Sequence, residues 1–305
     1  MIAETSIMPD SSEIIQYDTL GIPLYIQTDQ LSTYPDRRAL CHWHEDIEFL
    51  RILEGRMYYR VNGRRILLQE NDCLMVNARQ MHYGYSYQNQ DCIFACILFH
   101  PQLFAGNQLL YQRYVLPFTG SSHPEFIHFE APNPLHGDVA GFLDRVVSVK
   151  NQALPGYELE IIGIMNQLWS RLLQTSVLAA TDPREQPGGD LTVQRNMVSY
   201  IYQHYAEQVT LADIAAAGNV SRSKCCTVFK YYLQQSPIDF LNHYRLEVSR
   251  RLLKDSSLNV IQVAAACGFN HHSYYSRLFL QSYGCTPSEY RKLHRDGLHA
   301  AQIHE

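Results

Sequence analysis

At 305 residues the chain is long enough for two domains. Its formal net charge of −5 would argue against a nucleic-acid binder if it were spread evenly. It is not: residues 192–295 hold 12 Lys and Arg against 6 Asp and Glu, and residues 1–191 hold 13 against 22. No stretch has 18 consecutive apolar residues, so no membrane span is expected. Met1–Glu13 lacks the basic start and apolar run of a secretory signal, which predicts a cytoplasmic protein. The eight cysteines (41, 73, 92, 96, 225, 226, 267 and 285) include no CxxC pair, and in that compartment they read as buried thiols rather than bridges.

Residues 1–35 read as irregular, with Pro9, Pro23 and Pro35 and a short strand at Leu24–Gln27. Such an arm can be free or can fold over a neighbouring domain. Residues 36–130 read as β. An apolar run at Ile47–Leu53 ends at a turn marked by Gly55. Arg56–Val61 alternates, Asn62-Gly63 is a strong hairpin signal, and Arg64–Leu68 answers it. Glu70-Asn71-Asp72 turns into Cys73–Val76, and His82–Tyr87 and Cys92–Phe99 come next. Short strands at this spacing suggest a barrel or jelly roll.

Within that region His42-x-His44-x3-Glu48-x6-Gly55 is followed by Asn71-Asp72 and His82. This pattern resembles the two motifs of the cupins over about Arg38–Phe99, with departures at Asn77, Arg79 and Ser86. The resemblance implies that His42, His44, Glu48 and His82 converge inside a barrel. Alternation along a strand puts His42 and His44 on one face. Three imidazoles and a carboxylate suit a divalent transition metal such as Fe, Mn, Ni or Zn, the candidate cofactor. They equally suit polar groups gripping a small ligand between aromatic walls, with Trp43 and Tyr58 as first candidates and Tyr83, Tyr85 and Tyr87 beside them. The plain reading, structural hydrogen bonds among core aromatics, also stays open.

Residues 135–180 change to helical periodicity. Val139, Phe142, Leu143, Val146 and Val147 form one stripe; Leu159, Ile162, Met165, Leu168, Trp169, Leu172 and Leu173 form a broader one. These helices can simply cover the barrel; placed after a cupin-like region they also resemble a helical dimerisation element, and a pair this apolar can do both. Residues 181–191, rich in Pro and Gly, read as the interdomain linker, and Val193–Tyr205 as the first helix of the second domain.

Leu211 to Tyr290 reads as one unit written twice. Ile214 matches Val263 and Val220 matches Phe269 at an offset of 49; Phe229 matches Phe279, Pro237 matches Pro287 and Phe240 matches Tyr290 at 50. Each copy describes a helix-turn-helix: a short Ala-rich helix, a glycine in or beside a tight turn where a positive φ costs it little, an apolar plug, and a second helix. In the first copy Ser221 can cap a helix that buries Cys225, Val228, Phe229 and Tyr232 or Leu233 and turns Arg222, Ser223, Lys224, Cys226, Thr227 and Lys230 outward. In the second, Tyr275, Leu278, Phe279 and Tyr283 point in, while His271, His272, Ser273, Tyr274 and Arg277 point out. A long amphipathic helix, Ile238–Lys254, joins them.

These residues resemble the AraC/XylS family of bacterial transcription regulators over about Gln194–Leu293. The nearest match is Gly268-Phe269-Asn270 through Ser273-Tyr274-Tyr275-Ser276-Arg277-Leu278-Phe279, then Gly284-Cys285-Thr286-Pro287-Ser288-Glu289-Tyr290-Arg291. The resemblance implies two helix-turn-helix units in successive major grooves of double-stranded DNA, with base-contacting positions at Ser223, Cys226 and Thr227 and at His272, Ser273, Tyr274 and Arg277. Arg222, Lys224 or Lys230 would then meet phosphates. The excess of basic residues in 192–295 coincides with this half of the chain, as an electrostatic footprint should.

The expected architecture is α+β and multidomain. A cupin-like β-barrel (1–130) and a helical dimerisation element (131–180) lead through the linker (181–191) to an all-α domain with two helix-turn-helix units (192–295). The expected function is a ligand-responsive regulator, an activator that is not itself an enzyme and that senses a small polar metabolite such as a sugar. It would act as a homodimer with RNA polymerase as a further partner and no membrane contact. The alternative is a metal-dependent cupin enzyme fused to a DNA-binding domain.

Overall fold

The computed structural model of the chain describes residues 6–7, 12–19, 21–119, 124–131, 134–175 and 190–293. They fall into two compact units, one holding the described residues up to 175 and the other those from 190. Positions 181–189 of the expected linker and the tail from 296 lie outside the described residues. Among the described residues no helix is long and apolar enough to cross a membrane. All eight cysteines are free thiols, five of them buried.

The first unit opens with two paired two-residue strands, β1 (Ser6–Ile7) and β2 (Glu13–Ile14), and then builds an antiparallel sheet. Its strands are β3 (Leu24–Gln30), β4 (Ile47–Val61), β5 (Arg64–Gln69), β6 (Cys73–Val76), β7 (His82–Ser86), β8 (Cys92–Phe99) and β9 (Phe126–Phe129). Helix α1 (Gln108–Tyr114) lies between β8 and β9, flanked by short 3-10 turns, so the end of the region expected to be β is largely helical. Helices α2 (Pro134–Gln152) and α3 (Tyr157–Gln174) complete the unit.

Gly55 does not end a strand, as its type suggested; it bends one. Strand β4 runs unbroken for 15 residues with a bulge between Ile52 and Glu54. Before the bend it pairs with β6 and β8, and after it with β5 and β7. Gly55 has φ +78°, and a Cβ there would lie 2.6 Å from the Asp91 carbonyl oxygen, so only glycine permits the crossing. The Asn62-Gly63 hairpin forms as expected, both residues at positive φ.

Alternation along β4 separates two cores. Leu50, Ile52, Met57, Tyr59 and Val61 face the interior with Leu74, Val76 and Phe94. Ile47 and Phe49 face the other way, with Met75, Ile97 and Phe99, onto Val139, Leu143 and Val146 of α2 and Ile161, Ile164, Met165, Leu168, Trp169 and Leu172 of α3. The two helices therefore do cover the barrel. Met165, Leu168, Trp169 and Leu172 of the expected α3 stripe are buried, but its start differs: Ile161 and Ile164 are buried and Leu159 is 76% exposed.

The second unit is all helical: α4 (Asp190–His204), α5 (Leu211–Ala217), α6 (Arg222–Leu233), α7 (Pro237–Asp255), α8 (Val260–Ala266) and α9 (His272–Tyr283), with a further helical segment over 287–293. Helix α4 begins three residues before the expected Val193 and takes up the end of the expected linker. The duplication extends to the caps. Thr210 and Asp213 form a capping box on α5, and Asn259 and Gln262 form one on α8. Ser236 with Asp239 caps α7, and Thr286 with Glu289 repeats that arrangement before 287–293. Phe229 and Phe279, both fully buried at matched positions, each contribute about 1.5–3 kcal/mol of burial.

Helix α7 joins the copies, and Arg245 ties its middle to the segment after α4 and to the second copy. The guanidinium, 8% exposed, donates from Nε to Tyr205 O and from Nη2 to Glu207 O, each at 2.7 Å, satisfying carbonyls just beyond α4. It also lies over the Phe269 ring at 5.7 Å. The two turn glycines do different work. Gly268 takes the expected positive φ of +78°, but Gly218 has φ −85°, and Asn219 supplies the left-handed residue instead. Gly218 is needed for closeness: a Cβ there would lie 2.7 Å from Met197 Cγ.

Gly268→Ala adds strain at positive φ and a Cβ 2.5 Å from Tyr205 O, whereas Gly284→Ala adds the strain alone, with φ +71° and open space around the new methyl. Urea denaturation should show a loss of about 1 kcal/mol for Gly284→Ala and about 3 kcal/mol or more for Gly268→Ala. Equal losses would mean that the turn relaxes around the added carbon.

Candidate ligand pocket and nucleic-acid interface

The sequence-predicted His42, His44, Glu48 and His82 come together inside the first unit. His42 and His82 face each other across a bridge, exchanging both backbone hydrogen bonds (His42 N to His82 O 3.2 Å, His82 N to His42 O 2.9 Å). His44 is anchored by Arg79 N donating to its carbonyl at 2.7 Å. Each imidazole is oriented the same way. Nδ1 lies against a backbone carbonyl: Leu40 O at 2.9 Å for His42, Asp46 O at 2.9 Å for His44, Gln80 O at 2.7 Å for His82. Each Nδ1 therefore carries a proton and donates to its carbonyl, and each Nε2 is left for the other side chains of the cluster.

Glu48 receives two of these nitrogens, His82 Nε2 at 2.9 Å and His44 Nε2 at 3.5 Å from Oε2, while Tyr59 donates its hydroxyl to Oε1 at 3.0 Å. Burial pushes the Glu48 carboxyl up, but the neighbouring imidazoles outweigh it and hold the group well below the carboxylate range. For His82 burial wins and lowers the imidazole's pKa. Close as they are, His44 Nε2 and His82 Nε2 are not well aligned for hydrogen bonds to Glu48. Two buried imidazole nitrogens, misaligned on one carboxylate, form an arrangement a divalent cation would satisfy, and ring nitrogens of His42, His44 and His82 lie within 4.8 Å of one another.

The residue that sequence reasoning missed is Glu13. Strand β2 lies beside Trp43, with Glu13 N donating to Trp43 O at 2.8 Å, and the Glu13 side chain reaches His42 Nε2 at 3.0 Å. Both side chains are 11% exposed. Burial opposes ionisation of both groups, but the pair wins: the His42 imidazole is raised to about 9 and the Glu13 carboxyl is lowered. No motif announces this glutamate; only the fold brings an N-terminal residue to the cluster.

The aromatic beside the cluster is Tyr59, whose ring stacks on His82 at 6.0 Å. Tyr58, the expected wall, falls on the opposite face of β4 because side chains alternate. There it packs against Tyr85 and Tyr87 and under Arg65. Tyr83 stacks on Tyr85 on that outer face. Trp43 is half-buried, and its backbone holds β2. A separate cavity of about 560 Å³ lies between α1 and α3, lined by apolar groups such as Phe104, Tyr111, Trp169 and Leu173.

In the second unit the two outer faces are open. On α6, Arg222, Ser223, Lys224, Thr227 and Lys230 are exposed and Cys226 is half-buried; on α9, His272, Ser273, Tyr274 and Arg277 are exposed. Ser221 caps α6 through Lys224 N at 3.2 Å. Several of these side chains are already engaged. Lys224 Nζ meets Asp190 Oδ2 at 2.6 Å, and the Thr227 hydroxyl donates to Ser223 O at 3.0 Å. Asn242 of α7 donates to the Tyr274 hydroxyl at 3.1 Å, and the Arg277 guanidinium lies 5.4 Å from the centre of the Tyr274 ring. Asn242 thus braces the outer face of α9, a role its place in the sequence does not advertise.

Two protein-family models match the chain: an AraC-like ligand binding domain over residues 30–168 and a helix-turn-helix domain over residues 214–293. An uncharacterized HTH-type transcriptional regulator of Bacillus subtilis, YdeC, is 28% identical over 281 residues, covering 92% of this chain and 96% of that one, so the two domains occur together there in one protein of matching length. A second uncharacterized HTH-type transcriptional regulator, from Haemophilus influenzae, is 24% identical and covers 79% of this chain and 84% of its own. YijO of Escherichia coli is 36% identical but over 99 residues, 32% of this chain and 35% of that one, so it bears on a single domain.

His82→Ala takes from the buried Glu48 its nearest imidazole. Urea denaturation should show a loss of about 3–5 kcal/mol, and adding Glu48→Gln should recover a large part of it. A loss below about 1 kcal/mol would mean that His44 and Tyr59 suffice to hold the carboxylate.

Proposed function

The chain belongs to the AraC/XylS family of transcription regulators, with an AraC-like ligand-binding domain and a helix-turn-helix DNA-binding domain, and on that basis we propose that it is an activator responding to a small polar metabolite held at the His42, His44, Glu48 and His82 cluster. The observation that carries this reading is the presence in one chain of a buried polar cluster inside an apolar barrel and of two matched helices with open, polar outer faces. A pocket with a few convergent polar groups among apolar walls suits orientation-specific capture of a metabolite. A sugar is the first class to screen.

On DNA, α6 and α9 enter successive major grooves. Arg277 reads a guanine, since bidentate Arg to O6 and N7 is the commonest specific base contact. His272, Ser273 and Tyr274 complete the second reading face. Ser223, Cys226 and Thr227 are small, and Thr227 spends its hydroxyl on its own helix, so the first face contributes chiefly phosphate contacts from Arg222, Lys224 and Lys230. The protein works as a cytoplasmic homodimer that engages RNA polymerase. Exposed Leu154 and Leu159 at the adjoining ends of α2 and α3 support pairing there.

The second reading, favoured by the poorly aligned buried nitrogens of His44 and His82, is a divalent metal on His42, His44, His82 and Glu48. Such an ion would supply Lewis acidity or a coordination point for the effector; the histidines would bind it through Nε2 and their backbone carbonyls would keep them aimed. An enzyme fused to a DNA-binding domain would follow only if turnover accompanied the metal.

Arg277→Ala should cost about 1–3 kcal/mol in operator binding and relax specificity at one base pair. Lys224→Ala should weaken all sequences alike and lower the salt slope by about 1. An unchanged sequence preference in the first variant, or lost discrimination in the second, would reverse these roles. Elemental analysis of untagged protein, paired with a thermal-shift screen of sugars and small acids, tests the pocket. About one metal per chain, lost in His42→Ala, establishes the second reading; a stabilising metabolite without metal supports the first.

A further inference from the structure

We propose that Glu13 is a built-in stand-in for the effector, and that the metabolite is a small carboxylate that takes its place on His42 Nε2 and releases the N-terminal segment. The inference rests on the reading of the cluster as the effector pocket and names the ligand's class.

The geometry at His42 carries it. Both ring nitrogens have partners that only accept: Leu40 O at Nδ1, 2.9 Å away, and the Glu13 carboxylate at Nε2, 3.0 Å away. The position against Nε2 therefore already holds a carboxylate, and both side chains are 11% exposed. Glu13 comes to it from the N-terminal segment, whereas Glu48, the carboxylate native to the barrel, lies against His44, His82 and Tyr59. If β2 withdraws, His42 Nε2 is left without its carboxylate. A carboxylate ligand reproduces the group that leaves; a hydroxyl does not.

The hold on the segment is of a kind a small molecule can replace. Strand β2 is two residues long, pairs only with the two-residue β1 among the described strands, and meets the barrel through Glu13 N to Trp43 O and the bridge from Ser12 to Trp43. Its apolar residue, Ile14, stays 52% exposed, and Ile15 beside it is half-buried, so neither of these described residues is a fully buried hydrophobic anchor. A few residues on, Tyr17 donates to Asp46 at 2.8 Å, which keeps the segment near when Glu13 lets go.

The test uses the full chain, stripped of metal by chelation, with acetate and its uncharged isostere acetamide as probes. Calorimetric titration of Glu13→Ala should give acetate binding at least about tenfold tighter than in the unsubstituted protein, and at least about tenfold tighter than acetamide binds Glu13→Ala. His42→Gln added to Glu13→Ala should abolish the difference. Hydrogen exchange on the unsubstituted protein gives a readout independent of the variants: millimolar acetate should speed exchange of the Glu13 amide and acetamide should not. Equal binding of the two probes, or acetate binding and exchange indifferent to Glu13, overturns the inference. A neutral ligand that stabilises the unsubstituted protein, and loses its effect in His44→Ala, would also overturn it while leaving the barrel as the effector pocket. Ligand response that survives His44→Ala and His82→Ala would instead remove the pocket reading itself.

Discussion

The sensor half depends on one bent strand. Glu48 and Tyr59 meet through a hydrogen bond at 3.0 Å although they belong to parts of β4 that pair with different strands. They meet because the strand turns at Gly55 without breaking, and it can turn there because no Cβ stands between it and the Asp91 carbonyl. A break would have left Glu48 in one hairpin and Tyr59 in another, with a loop to fix their distance. The bend makes the carboxylate's surroundings a property of the sheet. The histidines gain from the same economy: three backbone carbonyls fix their Nδ1 atoms, so the ring orientations cost no further side chains.

The DNA-binding half solves a different problem, that of holding two small units at a set spacing. A loop would leave that spacing loose; a single helix fixes it, because α7 is buried on several sides and its buried polar groups are engaged. Arg245 reaches back to the carbonyls after α4, Ser249 donates to Leu246 O, and Glu247 pairs with Arg250. A buried arginine in an apolar setting is costly unless its donors are used, and here their use is what couples the helix to its neighbours. Asn242, from the same helix, braces Tyr274 on the reading face of α9, so the spacing helix also stiffens the surface that would meet DNA.

What was legible in the sequence was whatever repeats or alternates. The duplicated core (Ile214 and Val263, Phe229 and Phe279) is buried as the offsets require, and Glu48 lies beside His44 and His82 as the cupin-like spacing implied. What was not legible depends on a single step of phase or on a contact between distant segments. Tyr58 and Tyr59 are neighbours of the same type, and only the register around the Ile52/Glu54 bulge tells which one faces His82. Leu159 and Ile161 lie two positions apart at the start of α3, and the sheet surface chose the latter. Gly218 looked like a residue wanted for its φ and turned out to be wanted for its size, since Asn219 next door takes the left-handed conformation. Glu13 sits in a stretch with no pattern at all, and its partner is fixed by the barrel rather than by any local signal.

A contact that is to act as a switch has to fall within a narrow range of strength. Coupling between sites in regulated proteins is worth about 1–3 kcal/mol. An exposed ion pair, at about 0–1 kcal/mol, would be too weak to hold a segment against its conformational entropy. A segment anchored by a buried apolar side chain would add about 1.5–3 kcal/mol that no small polar ligand could recover. Glu13 and His42 are sheltered, unlike an exposed pair, and Ile14 beside them is 52% exposed, unlike a buried anchor. A ligand that bound the barrel equally well with β2 in place or withdrawn would shift nothing, however tightly it bound. To be informative it has to compete for the atom that holds the segment, and the group that now occupies that atom is a carboxylate.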